Sequence, residues 1–306
     1  MQHKKWKKLL GAGLLSSALA ASGAMAKDSV VVSSKIDTEG SVLGNMILLT
    51  LDKLGIKTEN KIQLGATSIV RKALISGEID IYPEYTGNGA FFYDMADDPL
   101  WKDADKAYQT VKAKDLEAHQ LVWLQPANAN NTWAISVRGD LSRKEQLTRL
   151  DQLQDYLAKG GDFKLAASSE FVESPSALPA FQNSYGFKLS SDQLVVLSGG
   201  NTAATLRAAS LQTNGVNAAM AYGTDGGLSA LDMVVLEDSK GVQPVYQPAP
   251  VIRKEVLDAH PQIAEKLNTV FSKLDLTTLQ KLNADVAVNG LDPRQVAQDF
   301  LTSQGL

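Results

Sequence analysis

The clearest candidate for a chemical role in this sequence is Tyr85, because of the residues on either side of it. The alternating run 79–82 indicates a β-strand, and Pro83, which has no N–H to donate to a sheet, is expected to end that strand. Gly87 and Gly89 then predict a tight, exposed turn at the strand's carboxyl end, where open α/β sheets bind ligands. The polar neighbours of the ring are Glu84, Thr86 and Asn88. An aromatic ring among polar groups, with no nucleophile beside it, favours binding of a ligand over catalysis. The alternative is that the ring only packs beneath a loop.

The rest of the sequence offers few parts for catalysis or metal binding. It contains no Cys, and the histidines beyond the amino-terminal segment are His119 and His260, which lack partners at ligand spacing. His260 precedes a proline in a polar segment and is interpreted as a solvated surface residue. Thiol chemistry, zinc sites and Ser-His-Asp arrangements are therefore not expected, and no metal or cofactor is predicted.

Two polar segments have weaker interpretations. The run 198–202 could hold an anion with its backbone amides at a helix start, but it lacks the Gly-Lys-Ser/Thr pattern of a nucleotide loop. Helix entry is the favoured interpretation of this run. Asp94, Asp97 and Asp98 lack the Gly and Glu that a calcium loop places at fixed spacing, so they are interpreted as a solvated acidic loop.

The amino terminus has the pattern of a secretory signal peptide. Four lysines between positions 4 and 8 precede an apolar run, 9–21, that is too short for a stable membrane anchor. Ala24 and Ala26 place small residues at both recognition positions of a leader peptidase, so cleavage is expected after Ala26. A lipoprotein anchor would require a Cys. We therefore expect a soluble, exported protein, most simply in the periplasm; an uncleaved anchor is the alternative.

The charge balance argues against several classes of partner. Loss of residues 1–26 removes four of the 30 basic residues and none of the 34 acidic ones, which leaves a net charge of −8. Such a surface does not favour nucleic acid or an anionic membrane face. We expect a monomer rather than a stable oligomer.

The elements that must position Tyr85 alternate between strand and helix. A strand at 30–34 is followed by a helix capped by Asp37 or Thr38, and a second strand at 61–64 and a second helix lead to the strand before Tyr85. This order predicts a parallel α/β unit with right-handed crossovers.

A similar α/β unit follows in the second half of the chain. Its strands are predicted at 163–167, 193–197 and 216–221, and the last of them ends in Tyr222 beside Gly and Thr, much as the earlier strand ends near Tyr85. Two α/β lobes joined by two crossings predict a venus-flytrap solute-binding fold of type II, with the ligand in the cleft. The predicted boundaries are 27–130 and 233–306 for the first lobe and 131–232 for the second, with 255–306 as a helical tail on the first lobe.

A series of motifs resembles the glycine betaine/choline-binding proteins of ABC importers. The motifs are Ser34–Glu39, Leu64–Thr67, Gly77–Gly87, Asn131–Ala134, Tyr222–Gly226, Leu236–Asp238 and Gln243–Tyr246, and together they extend over nearly the whole chain after residue 26. The resemblance implies a small quaternary amine as ligand, the membrane permease of an ABC importer as partner, and no cofactor.

The resemblance also implies roles for individual residues. A quaternary ammonium has no N–H, so shape, dispersion and the negative faces of aromatic rings must hold it. The cage positions of the family fall on Tyr85, Trp133, Tyr222 and Tyr246, with Trp133 in place of the usual Tyr. Positions that bind a ligand carboxylate fall on Lys35 and Asn88. Ser174 follows a Glu-Phe pair where the family has an Arg, so weaker recognition of a carboxylate is expected.

Three functions are consistent with these observations. The first is a periplasmic receptor that binds an osmoprotectant such as glycine betaine with modest affinity. The second is a receptor of the same architecture for another small solute, such as an amino acid or a larger amine. The third is an enzyme on the same scaffold, which the scarcity of His and the absence of Cys disfavour.

Overall fold

The computed structural model of this chain describes residues 29–197 and 202–306. The predicted signal peptide with its cleavage site, and residues 198–201 of the possible anion-binding turn, lie outside these ranges. Within the described ranges, no helix is long and apolar enough to cross a membrane.

Strands and helices alternate along both halves of the chain. The strands are β1 (Val30–Lys35), β2 (Thr58–Gly65), β3 (Ile81–Tyr85), β4 (Leu121–Trp123), β5 (Trp133–Arg138), β6 (Leu165–Ser168), β7 (Leu194–Leu197), β8 (Ala218–Tyr222), β9 (Met233–Val235) and β10 (Pro248–Arg253). The helices are α1 (Thr38–Lys53), α2 (Thr67–Ser76), α3 (Gly89–Phe92), α4 (Ala104–His119), α5 (Gly139–Glu145), α6 (Leu153–Ala158), α7 (Ser169–Glu173), α8 (Leu178–Tyr185), α9 (Thr202–Ser210), α10 (Gly226–Ala230), α11 (Lys254–Ala259), α12 (Gln262–Phe271), α13 (Leu276–Ala287) and α14 (Pro293–Ser303).

The strands form two five-stranded sheets of the same design, one in each lobe. The first sheet has the order β2-β1-β3-β10-β4 and the second the order β7-β6-β8-β5-β9. In each sheet four strands run in the same direction, and the one antiparallel strand, β10 or β5, is the one that arrives from the other lobe. The chain therefore crosses twice, between β4 and β5 and between β9 and β10. The predicted two-lobed α/β fold is confirmed.

Each lobe has its own hydrophobic core. In the first lobe, Asp37 caps α1 by accepting a hydrogen bond from Gly40 N at 2.6 Å, as the sequence predicts. The apolar face of α1, including the fully buried Leu43 and Met46, packs into a core that also contains Phe271 of α12. The carboxyl-terminal helices thus pack on the first lobe.

Pro83 does not end its strand, contrary to the sequence prediction. β3 continues to Tyr85, and Pro83 lies directly opposite Pro250 of β10. Opposed residues of an antiparallel pair alternate between those that exchange backbone hydrogen bonds and those that do not. The Pro250 carbonyl accepts a hydrogen bond from Leu124 N of the chain on its other side, at 2.9 Å. The two prolines therefore meet where neither strand requires an N–H from the other.

The strand Met233–Val235 also differs from its predicted place. The sequence boundary assigned it to the first lobe, but β9 pairs with β5 in the second sheet, and Leu236 is buried in the core of the second lobe. A short apolar strand fits the edge of either sheet by its sequence, and only the pairing with β5 decides between them.

Candidate functional site

The six residues predicted to bind a ligand all line one cleft of about 1320 Å³ between the two lobes. These residues are Lys35, Tyr85, Asn88, Trp133, Tyr222 and Tyr246. Lys35, Tyr85 and Tyr222 are the last residues of the parallel strands β1, β3 and β8. The carboxyl ends of the parallel strands from both sheets therefore face the cleft, which is the usual place for a ligand in open α/β sheets.

The second lobe contributes an aromatic wall, formed by Trp133 and Tyr222. The two residues are directly opposite each other in the pairing of β5 with β8, and their rings stack with centroids 6.5 Å apart and planes 23° apart. The fully buried Phe171 packs edge-on against Trp133, with 5.8 Å between ring centroids. Since cross-strand and edge-on contacts fix both rings, the protein fold itself positions the wall.

Tyr246 comes from the second crossing and packs against the turn that follows β3. A Cβ atom on Gly87 would lie 2.7 Å from the Tyr246 ring, and one on Gly89 would lie 2.5 Å from Trp101, so both glycines are required by close approach. The turn is largely buried rather than exposed as predicted, since Thr86 has no exposed surface. Gly87 and Gly89 leave room for the rings of Tyr246 and Trp101 to pack against the turn.

Tyr85 is almost fully buried, with 5% of its surface exposed. Its hydroxyl donates to Glu39 Oε1 at 2.7 Å, and burial raises the pKa of the phenol well above its ordinary value. The Lys35 ammonium lies 4.4 Å from the centre of the ring. A protein cation thus already rests against this member of the predicted cage.

Glu84 binds both residues that the resemblance assigns to a ligand carboxylate. Lys35 Nζ lies 2.5 Å and Asn88 Nδ2 2.7 Å from Glu84 Oε1. The Tyr82 hydroxyl and the Tyr85 N–H also donate to this carboxylate, at 2.6 and 2.7 Å. Because Glu84 is fully buried, its charge requires such compensation. Lys35 and Asn88 are therefore engaged within the first lobe.

Glu39 is a cleft residue that the sequence analysis did not assign to the site. It is 4% exposed and accepts from the Tyr85 hydroxyl, from Asn283 Nδ2 at 2.7 Å and from Asn131 Nδ2 at 3.3 Å; the Thr224 side chain of the second lobe also bonds to it. Burial raises the pKa of Glu39 above its ordinary value, and these hydrogen bonds oppose the rise. An acidic residue in the first turn of a helix is common because it interacts favourably with the helix dipole. The sequence therefore contains no sign that Glu39 lies in the cleft.

The described residues include four buried side-chain polar atoms without a hydrogen-bond partner, and all four belong to residues that line this cleft. They are Asn131 Oδ1, Thr132 Oγ1, Trp133 Nε1 and Asn283 Oδ1. Buried polar atoms in folded proteins are nearly always paired. Their concentration here indicates a surface built for a ligand with polar groups.

Carboxylates outnumber cations on the cleft walls. The charged lining residues are Asp37, Glu39, Asp97 and Asp225 against Lys35 and Arg207, and Lys35 is paired with Glu84. Burial raises the pKa of Asp225 to about 6, although a hydrogen bond from Tyr222 N opposes the rise. The excess of carboxylates suits a cationic ligand group. Among the described residues, no group of three or more His, Cys, Asp or Glu could hold a metal ion.

Ser174 lies beside the cleft, at the end of α7. Its hydroxyl is 3.0 Å from that of Ser176, and Pro175 and Ser176 line the cleft. Arg207 of α9 is the one arginine among the described residues that line the cleft. A guanidinium is therefore present on the second lobe, at a position that the sequence analysis did not identify.

Residues 28–303 match the family model described as the substrate binding domain of ABC-type glycine betaine transport system. The chain is 57% identical over 280 residues to the glycine betaine-binding protein YehZ of Escherichia coli, with 92% of each chain covered. The solved structure of apo YehZ superposes with a TM-score of 0.85, covering 90% of this chain and 99% of that one. The chain is also 30% identical over 284 residues to EgtU of Helicobacter pylori, named as an ergothioneine transport permease and binding protein; the match covers 92% of this chain and 49% of EgtU.

Proposed function

Because this chain belongs to the family of substrate-binding domains of ABC-type glycine betaine transport systems, we propose that it captures glycine betaine or a related quaternary amine in the interlobe cleft. It is a binding protein of a transport system and not an enzyme. In this proposal the exported, periplasmic chain delivers its ligand to the membrane permease of an ABC importer.

The observation that carries this proposal is the aromatic wall in a cleft with excess carboxylates. A quaternary ammonium gains attraction from ring faces because its charge is spread over methyl groups that cannot donate strong hydrogen bonds. The stacked rings of Trp133 and Tyr222, with Tyr246 lining the same cleft, supply such faces. The carboxylates of Asp37 and Asp225, which form no salt bridge with another described residue, add a favourable potential for the cation.

The contacts of Glu84 support modest affinity for a ligand carboxylate. Lys35 and Asn88 already donate to Glu84, so a ligand carboxylate must either compete for them or use other donors. Other donors on the cleft include the Thr132 hydroxyl, Trp133 Nε1 and the Arg207 guanidinium. The same observation favours the second candidate, a solute with a different polar group, such as an amino acid or a larger amine.

The test is isothermal calorimetry with glycine betaine, choline, carnitine and proline, paired with tryptophan fluorescence. Trp101 and Trp123 are fully buried in the first lobe, so Trp133 is the described tryptophan that a cleft ligand reaches. We expect quaternary amines to change the fluorescence of the unaltered protein. In the Trp133→Phe variant this fluorescence change should be lost, while calorimetry should show that most of the affinity remains because the phenyl ring still offers a face. If proline binds and the three quaternary amines do not, the second candidate function, a receptor for another small solute, takes the place of the first. A chemical product in the mixture would contradict a binding function.

A further inference from the structure

The interlobe cleft has two distinct ends, because each sheet is packed on both faces. In the first lobe, α1 and α13 pack on one face of the sheet, and α2 and α4 pack on the other. In the second lobe, α9 and α10 share one core, and α7 and α8 share the other. At one end of the cleft α13 contacts α10. At the other, which we call the far end, residues 91–97 after β3 lie across the cleft from residues 173–176.

Helix α13 holds the turn that follows β8 by its backbone. Gln280 Nε2 donates to the Gly223 carbonyl at 2.8 Å. Asn283 Nδ2 donates to the Thr224 carbonyl, also at 2.8 Å. The first residue of α10 is a glycine that lies so close to the backbone of α13 that a Cβ atom would not fit. Because these contacts involve the backbone of the turn, they fix its position and not only that of one side chain.

The two ends of the cleft differ in burial. Thr224 is 1% exposed and Asn283 is 5% exposed, so solvent is excluded from the contact between α13 and the turn. At the far end Phe91 is 69% exposed, and Asp97 and Ser176 are exposed as well. Among the described residues, no hydrogen bond or ion pair joins 91–97 to 173–176. The lobes are therefore tied together at one end of the cleft and not at the other.

The second crossing changes lobes at a single residue, Pro244. Gln243 Nε2 donates to the Ser176 carbonyl of the second lobe at 2.6 Å. Val245 N donates to the Trp101 carbonyl of the first lobe at 2.8 Å. A rotation at Pro244 leaves both hydrogen bonds intact, so the lobes can turn about a line through this crossing and α13.

From these contacts we infer that α13 is a pivot for the lobes, and that the cleft opens and closes at its far end. Gln280 and Asn283 are positioning residues, because they hold the turn that carries Tyr222 of the aromatic wall against the first lobe. The ligand enters between 91–97 and 173–176. For its effect on ligand binding, this inference rests on the proposed function.

Distances between pairs of spin labels, measured by pulsed electron paramagnetic resonance, test the pivot. The sequence has no Cys, so two introduced cysteines are the labelling sites. Asp94→Cys with Glu173→Cys spans the far end, and Ser229→Cys with Lys281→Cys spans the pivot. All four residues are exposed and lie outside the cleft lining. In the free protein the far-end distances should be broadly distributed and the pivot distances narrowly distributed.

Saturating glycine betaine should shorten the mean far-end distance by several ångström and leave the mean pivot distance unchanged. Equal shortening of both distances would overturn the inference, since the lobes would then approach each other as a whole. If glycine betaine and the other quaternary amines do not bind, the proposed function fails. The free protein still decides whether α13 is a pivot, because equally broad distributions for the two pairs would overturn it without any ligand.

A variant of α13 tests the positioning role. Gln280→Ala removes one donor to the turn, and Gln298→Ala, which changes an exposed glutamine bonded within α14, is the matched control. Gln280→Ala should broaden the pivot distances of the free protein and weaken glycine betaine binding about fivefold, the size of one neutral hydrogen bond. The control should change neither. A lower melting temperature for Gln280→Ala with unchanged distances and affinity would show a merely structural role and overturn the positioning role.

Discussion

The stacked rings of Tyr222 and Trp133 line the cleft, whereas the Tyr85 side chain makes its contacts within the first lobe. The Tyr85 hydroxyl donates to Glu39 and the Lys35 ammonium rests on its ring, so removing this side chain would disturb the first lobe as well as any ligand. At the scale of single residues, the cage hypothesis is therefore tested most cleanly at Tyr222, which is only partly buried.

Tyr222→Ala should weaken choline binding by about 1–2 kcal/mol, the range for a cation over a desolvated ring. Tyr222→Phe keeps the ring face and is the matched control, with binding close to that of the unaltered protein. Calorimetry gives the affinities, and thermal unfolding checks that both variants are folded. If Tyr222→Ala binds choline as the unaltered protein does, the aromatic wall is not part of the cation site.

Ser174→Arg should tighten glycine betaine by about 1 kcal/mol or more, because a guanidinium beside Pro175 and Ser176 could pair with the ligand carboxylate. Choline, which has no carboxylate, should gain little. Calorimetry on both proteins with both ligands decides the matter, and an equal gain for choline would indicate a general effect on the lobes instead of a carboxylate contact.

Asp225 should make stability depend on pH in a defined direction. Burial raises its pKa to about 6 in the folded protein, so between roughly pH 4 and 6 the folded state binds more protons at this carboxyl than the unfolded chain. Its stabilising contribution is complete below this window and is lost as the pH rises through 6. Asp225→Asn, which mimics the protonated form, should therefore raise the free energy of unfolding by about 2 kcal/mol more at pH 7 than at pH 4.5.

Urea denaturation of both proteins at the two pH values measures this double difference. Glu39 and the other acidic residues contribute to both proteins alike and cancel. A difference of zero, or a larger gain at pH 4.5, would show that the pKa of Asp225 is not raised by the fold.

At the scale of elements, the contact between α10 and α13 joins the second lobe to helices packed on the first. Gly226 begins α10, and a Cβ atom there would lie 2.2 Å from Ala284 N in α13. Asn283, next to that contact, donates to the Thr224 carbonyl of the second lobe. Backbone approaches backbone here, so neither helix can yield by rotating a side chain.

Gly226→Ala should lower the free energy of unfolding by about 1–3 kcal/mol, as overpacking does. It should also weaken ligand binding, because separating the two helices moves Asn283 away from Thr224. Ser229→Ala, on the exposed side of the same helix, is the control and should change neither quantity. Thermal unfolding and calorimetry measure both, and an unchanged melting temperature for Gly226→Ala would mean that the two helices separate at no cost.

At the scale of the whole molecule, the two crossings are tied together. Asn131 N donates to the Tyr246 carbonyl at 2.9 Å, and Tyr246 N donates to Asn130 Oδ1 at 2.8 Å. Residues of both crossings also line the cleft, so relative motion of the lobes changes the distance between the aromatic wall and the first lobe.

We expect the radius of gyration, measured by small-angle X-ray scattering, to decrease when choline saturates the cleft. The mass from light scattering should remain that of one chain with and without ligand. An unchanged radius at a choline concentration that calorimetry shows to be saturating would indicate that the lobes do not close on this ligand.

The sequence by itself determined the two-lobed α/β fold, because alternating strands and helices predict parallel sheets, and it placed Tyr85 and Tyr222 at the ends of predicted strands. The family resemblance supplied the remaining candidate residues, and the packing of the two lobes brings all six to one cleft. The sequence could not place Met233–Val235, because a short apolar strand pairs equally well with either sheet until its neighbours are known.

Only the tertiary structure decided what each candidate residue contacts. Lys35 and Asn88 were assigned to a ligand, but Glu84, brought close by folding, already accepts from both. Glu39 and Asn283 are 244 positions apart, and no spacing in the sequence reveals that they meet. Hydrogen bonds between residues distant in sequence depend on how helices and strands pack together. Helices and strands themselves can be predicted from the spacing of apolar residues within a short stretch of sequence.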